Sequence, residues 1–173
     1  MDLHPPEPEA YGRVTNPDRY RVVVDAAQSL LRRLVETYDV VQSPGSTTTD
    51  FPEYRGPSLD TIGLVPRQGV PLIFALSPFP GVMVRFGNLG QEAFPGCGCD
   101  ACDEQPDQEI QRMTRLVEAA IDGGYEEDLT RRRLFSSFVG PWGNQRSERR
   151  LRRGEWRQYG NRGLRRWPEW PHR

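Results

Sequence analysis

Residues 17–38 restrict the fold more than any other stretch, because their apolar side chains recur at three- and four-residue steps: Tyr20, Val23, Ala27, Leu30, Leu31, Leu34 and Tyr38. That period puts them on one side of an α-helix, while Arg21, Asp25, Gln28, Arg32 and Glu36 fall mostly on the others. Asn16-Pro17-Asp18 supplies a start signal: a capping side chain, a proline suited to the first turn and an early acid. The spacing therefore predicts an amphipathic helix over 17–38. Its stripe must be covered by a sheet or a second helix.

The chain offers both. Residues 58–65, 70–77 and 82–86 carry β-branched and aromatic residues with partial alternation, and Pro78-Phe79-Pro80-Gly81 is a tight connection between the second and third. This predicts a three-stranded antiparallel meander, extended by 89–94. Residues 42–57, rich in Ser, Thr, Gly and Pro, read as a long surface loop. A second helix is expected over 106–122, where Ile110, Met113, Val117, Ala120 and Ile121 share a stripe that Gly123-Gly124 ends. Residues 134–139 alternate as a further strand, whereas 141–173 mixes Arg, Gly, Trp and Pro without a clean period. The expected architecture is α+β: an antiparallel sheet of three to five strands with two main helices packed on one face. Along the chain this divides into an N-terminal arm (1–15), an α+β domain (16–140) and an Arg/Trp-rich C-terminal extension (141–173).

All three cysteines fall within six residues, in Phe94-Pro95-Gly96-Cys97-Gly98-Cys99-Asp100-Ala101-Cys102-Asp103-Glu104. C-x-C-x-x-C spacing lets Cys97, Cys99 and Cys102 converge as a metal-binding knuckle, with Gly98 giving the backbone freedom to bend. Three thiolates are one ligand short of a closed zinc site. Asp103 is the leading fourth donor, with Asp100, Glu104, His4, His172 or water as others. A second reading is thiol chemistry, because the positive end of the following helix lowers a neighbouring thiol's pKa. The flanking carboxylates oppose it by like-charge repulsion and favour a cation. A third reading is a plain structural turn with small half-buried cysteines and an acid capping the helix.

The stretch E-A-F-P-G-C-G-C-D-A-C-D-E resembles the hallmark of a family of uncharacterised, mainly actinobacterial proteins, grouped as a domain of unknown function. V-T-N-P-D-R-Y before the first helix and F-P-G-V-M-V-R-F-G before the cysteines are similar to that family too, and the likeness spans about residues 10–125. The resemblance implies no activity, substrate or cofactor and carries over no catalytic residue. The arginine-rich tail lies outside the matched portion.

Several function classes are closed by composition. Every one of the 23 basic residues is arginine, so there is no lysine for a Schiff base or a P-loop. The two histidines, His4 and His172, sit near the two ends of the sequence, which disfavours a Ser-His or Cys-His pair. The acidic, proline-rich opening lacks the charge and apolar run of a secretory signal, and no apolar run approaches the roughly 18 residues of a spanning helix. The expectation is a cytoplasmic protein with no membrane contact, in which an odd cysteine count favours free thiols or a metal over disulfides.

Charge is strongly polarised. Residues 1–130 hold 10 Arg against 21 Asp and Glu, and residues 131–173 hold 13 Arg against 3 Glu. In the basic part Arg149, Arg150, Arg152, Arg153, Arg165 and Arg166 are interleaved with Trp156 and other aromatics, a mixture that neutralises phosphates and stacks on bases. No nucleic-acid-binding motif accompanies it, and docking of the tail on the acidic body is the competing expectation. Arg85 is expected on a solvent face, Glu126-Glu127-Asp128 on a hydrated surface, and Arg131-Arg132-Arg133 as local compensation for those acids. The leading functional expectation is a non-enzymatic binding or interaction protein with a cysteine turn that holds zinc, its partner another protein or an anionic ligand. The alternatives are a nucleic-acid-associated protein acting through the tail and a thiol-dependent enzyme.

Overall fold

A computed structural model describes residues 9, 11–51, 53–160 and 162–173. The first long helix begins with one turn of 3-10 helix, Pro17–Tyr20, and continues as α1, Arg21–Thr37. The single α-helix expected from residue 17 is thus split. Asn16 makes no side-chain capping bond; the turn is instead held by Tyr20, whose hydroxyl donates to the Glu104 carbonyl at 2.9 Å. The stripe read from the sequence is the buried face, with Tyr20, Val23, Ala27, Leu30, Leu31 and Leu34 all in the core.

Strands β1 (Val40–Pro44), β2 (Asp60–Pro66), β3 (Leu72–Ser77), β4 (Gly81–Phe86) and β5 (Gly90–Phe94) form a five-stranded antiparallel sheet in sequence order. Alternation sets its two faces. Leu72, Phe74, Val82, Val84, Phe86 and Phe94 point into the main core, whereas Ile73, Ala75 and Met83 pack under Phe51 and Leu59 on the other side. The surface loop expected over 42–57 is therefore shorter than its composition suggests. It opens with the end of edge strand β1, and after a single turn of helix, α2 (Thr47–Asp50), its Phe51 is fully buried. Arg85 does not face solvent freely either: its guanidinium donates to the carbonyls of Asp50 (2.9 Å) and Asn88 (3.0 Å), tying α2 to the β4–β5 turn.

Helix α3, Pro106–Ile121, buries Met113, Leu116, Val117, Ala120 and Ile121. It packs on α1 and touches β5, β6 and β7, so it spans two sheets. Two helices on one face of one sheet is accordingly a partial description. The second sheet has the order β8-β7-β6-β9, all antiparallel, from β6 (Tyr125–Leu129), β7 (Arg133–Gly140), β8 (Gly143–Arg150) and β9 (Gly163–Arg166).

The hydrated acidic surface expected at 126–128 is instead a strand with one face buried. Tyr125, Glu127 and Leu129 alternate inward, and Glu127 is completely inaccessible. Its carboxylate accepts from the backbone N–H groups of Asn88 (3.0 Å) and Leu89 (2.9 Å), from the Asn88 amide and from the Tyr125 hydroxyl, and pairs with Arg165 at 3.4 Å. One carboxylate thus joins the first sheet's β4–β5 turn to the second sheet. Burial, then the Glu127 charge, pushes the Tyr125 phenol well above its ordinary pKa, so it remains a donor.

Beyond β9 the chain returns across the molecule. Trp170 is buried, its backbone N–H donates to the Ile121 carbonyl at 2.7 Å and its indole N–H to the Val70 carbonyl at 2.8 Å. Gly69, at φ 106°, lies beneath the indole; a Cβ there would come within 2.5 Å of the ring. Among the described residues, no helix is long and apolar enough to cross a membrane.

Candidate metal centre

The cysteine turn links the end of β5 to the start of α3. Gly98, at φ 79°, supplies its bend, and a Cβ there would also sit 3.0 Å from Phe79 and 3.2 Å from Pro95. The Cys99 carbonyl accepts from the N–H groups of Cys102 and Asp103, both at 3.2 Å, which closes the second half of the turn. Asp103 then adopts a left-handed backbone, φ 43°, immediately before the chain enters the helix. Glu104 reaches back. Its Oε2 accepts from Cys97 N–H at 2.9 Å and Gly98 N–H at 3.0 Å, pinning the first half.

The result is convergence of the sulfurs. Cys97, Cys99 and Cys102 Sγ all lie within 4.8 Å of one another, Cys97 and Cys99 at 3.3 Å. Cys99 is buried and the other two are exposed, so the cluster opens to solvent on one side. A tetrahedral zinc with Zn–S bonds of about 2.3 Å holds its sulfurs roughly 3.8 Å apart, so these three need only small adjustments to share one ion.

The cluster is also prepared for negative charge. The Cys99 thiol is lowered to about 6, first by the Gly12 backbone N–H, then by Cys97 and by the Cys102 N–H. Cys102 is pushed up to about 12, because it donates to Cys99 and Cys97 and so keeps its proton longest. Cys99 readily becomes a thiolate and Cys102 resists, as expected when neighbouring sulfurs share the same stabilising donors. A cation at their centre would remove that competition by neutralising all three.

The fourth donors named from the sequence are placed differently. Asp103 Oδ1 pairs with Arg19 at 2.9 Å. Asp100 accepts from Arg13 Nε (2.9 Å), Thr15 N–H (3.0 Å) and the Thr15 hydroxyl (3.1 Å); the backbone bond from Thr15, then Arg13, holds its carboxyl below the usual range. Glu104 is engaged as above. His172 stacks against Tyr38 at 4.7 Å, beyond the far end of α1, about 25 Å from the Tyr20 end at 1.5 Å per residue. His4 lies outside the described residues. Among the described residues, only the sulfurs converge.

The second set of named residues is divided. Arg149 is held by Glu155 (2.7 Å), Glu53 (3.0 Å) and Tyr159, Arg165 pairs with buried Glu127, and Arg166 with Glu126 at 3.0 Å. These three are internal ties. Arg150, Arg153 and Trp156 instead line an open basin at the far end of the second sheet. Arg152 lies beside it, facing Glu53 and Glu155.

Sequence reasoning passed over Gly12, Arg13, Thr15 and Arg19, which grip the cysteine turn from outside, and it read Tyr20 only as helix stripe and Glu104 only as a donor or cap. Thr15, Arg19 and Tyr20 lie in the V-T-N-P-D-R-Y stretch, but no local period connects it with residues some 85 positions away.

The chain belongs to a family of unknown function (DUF6226), whose model matches residues 2–173. The arginine-rich tail therefore lies inside the family match, not beyond it. No match was found among curated proteins or among solved structures.

Proposed function

We propose that this is a non-enzymatic cytoplasmic binding protein in which Cys97, Cys99 and Cys102 hold a single zinc ion. The observation that supports this reading is the approach of three sulfurs from one short turn to within 4.8 Å of each other. Thiolates select soft ions, zinc or copper(I), over magnesium and calcium. With Asp100, Asp103 and Glu104 occupied by protein donors, the fourth position on the ion belongs to water or to a donor brought by a partner protein or anionic ligand. The ion would hold the turn that Arg13, Thr15, Arg19 and Tyr20 already grip, and so fix the segment before α1 against the start of α3.

The preference for binding over catalysis rests on the groups around the sulfurs. Guanidinium groups and carboxylates surround them, the chain has no lysine, and among the described residues no imidazole stands beside them to take a proton. A reducing compartment keeps such thiols available to a metal.

The test is elemental analysis of protein purified without added metal. One zinc per chain is expected, lost when all three cysteines are changed to serine. A content near zero, with three freely titrating thiols after incubation with zinc, overturns the assignment; copper in place of zinc corrects the ion and keeps the site. One thiol alkylating far ahead of the others in metal-treated protein favours thiol chemistry.

A further inference from the structure

We propose that the basin at the far end of the second sheet is a binding site for single-stranded nucleic acid. It occupies about 1150 Å³ and is lined by Arg131, Arg132 and Arg133 from the β6–β7 turn, Arg150 from the end of β8, and Arg153 and Arg157 beyond it, against one carboxylate, Glu148. Most arginines in this protein are taken by carboxylates or carbonyls. Here Arg133 alone is, pairing with Asp128 at 3.0 Å. Among the described residues, no hydrogen bond or ion pair engages the guanidinium groups of Arg131, Arg132, Arg150 or Arg153.

The backbone carrying these arginines is firmly built. Thr130 Oγ1 accepts from the N–H groups of Arg132 (3.3 Å) and Arg133 (2.9 Å), and Leu151 N–H donates to the Arg132 carbonyl at 2.8 Å, locking the turn to the end of β8. Glu155 accepts from Arg152 N–H and fixes the next segment. The frame thus gathers like charges, of which Arg133 alone is offset by Asp128 and by Glu148 at 3.8 Å, and a bound anion would relieve the repulsion among the rest. Planar guanidinium forks match phosphate oxygens.

Two features select a nucleic acid strand among anions. The basin exceeds the roughly 300–1,000 Å³ of ordinary small-molecule sites and is open, which suits a passing polymer. Its wall is Trp156, with the guanidinium groups of Arg157 and Arg162 at 5.3 and 4.9 Å from the ring centre. Indole and guanidinium planes together form the kind of platform on which unpaired bases stack. This site shares no residue with the cysteine turn, so it stands whether or not the turn holds metal.

The experiment is fluorescence anisotropy of the full chain with a labelled oligonucleotide of about a dozen nucleotides, single-stranded or annealed to its complement. Four phosphate contacts predict a salt slope near −3, an affinity loss of about 50-fold for a fourfold rise in salt. Arg131→Glu with Arg132→Glu should weaken binding at least tenfold and reduce the slope by about 1 per arginine, with the near-ultraviolet circular dichroism unchanged. Arg32→Glu on the exposed side of α1 should leave binding intact. Equal losses from the α1 change, tighter binding of the duplex, competition by inorganic polyphosphate as effective as that by the unlabelled strand, or binding only to anionic lipid vesicles would each overturn the proposal.

Discussion

The cysteine turn and the arginine basin handle charge in opposite ways. Around the sulfurs every neighbouring carboxylate is committed: Asp100 to Arg13 and Thr15, Asp103 to Arg19, Glu104 to two backbone N–H groups. In the basin four arginines stand on a hydrogen-bonded frame with their charges unpaired among the described residues. The first arrangement spends its carboxylates on holding the turn that brings the sulfurs together. The second leaves its polar groups for something that arrives. The same tail even contains both patterns, since Arg165 is an internal tie and Arg150 is not. Composition alone could not tell them apart.

That contrast can be broken most forcefully at Glu127. Glu127→Ala takes the acceptor from two backbone donors and the Asn88 amide, and removes the carboxylate beside Arg165, at the joint between the sheets. It should cost about 3–5 kcal/mol in urea unfolding, the usual result of breaking a buried pair. A loss below ~1 kcal/mol would show that the joint is not held there.

A smaller effect is expected at the cysteine turn. Glu104→Ala leaves the Cys97 and Gly98 N–H groups without their acceptor and should cost about 1–3 kcal/mol. It should also weaken cobalt or zinc binding about 10- to 100-fold by releasing the ligands' orientation. Unchanged metal affinity would separate Glu104 from the site.

Asp100 gives a pH-dependent test. Its folded pKa is lowered, so its grip on Thr15 and Arg13 is complete above the unfolded carboxyl pKa and is lost as pH falls through the folded value. The Thr15 amide resonance should therefore titrate only on the acid side of about pH 4, and should stop titrating there in Asp100→Asn. A Thr15 shift centred near neutrality would point to another group.

The smallest effect belongs to the basin. Arg131→Ala should change stability by no more than about 0.5 kcal/mol, because its guanidinium engages no partner among the described residues. A larger loss would mean that the basin arginines are structural after all.

The sequence made some of this legible and concealed the rest for physical reasons. α1 and α3 were readable because their stripes are long and regular, and β2 to β5 because their residues alternate between tight turns. β6 was hidden by its charge: Tyr-Glu-Glu-Asp-Leu alternates correctly only once Glu127 is known to have buried donors. β8 is an edge strand, exposed along nearly its whole length, so no apolar period marks it. β9 is four residues held by backbone pairing and two ion pairs to β6. The convergence of three sulfurs followed from local spacing, whereas the Arg13, Thr15 and Arg19 contacts depend on residues brought together only by folding.

Trp170 carries a consequence for the order of events during synthesis. The meander from β1 to β5 pairs neighbours in sequence and can assemble as each hairpin leaves the ribosome. The socket over Gly69, bounded by the carbonyls of Val70 and Ile121, has no occupant until the indole emerges a hundred residues after Val70. Until then the core residues that the indole covers stay open to water, so the first sheet is completed only by a stretch made long after it.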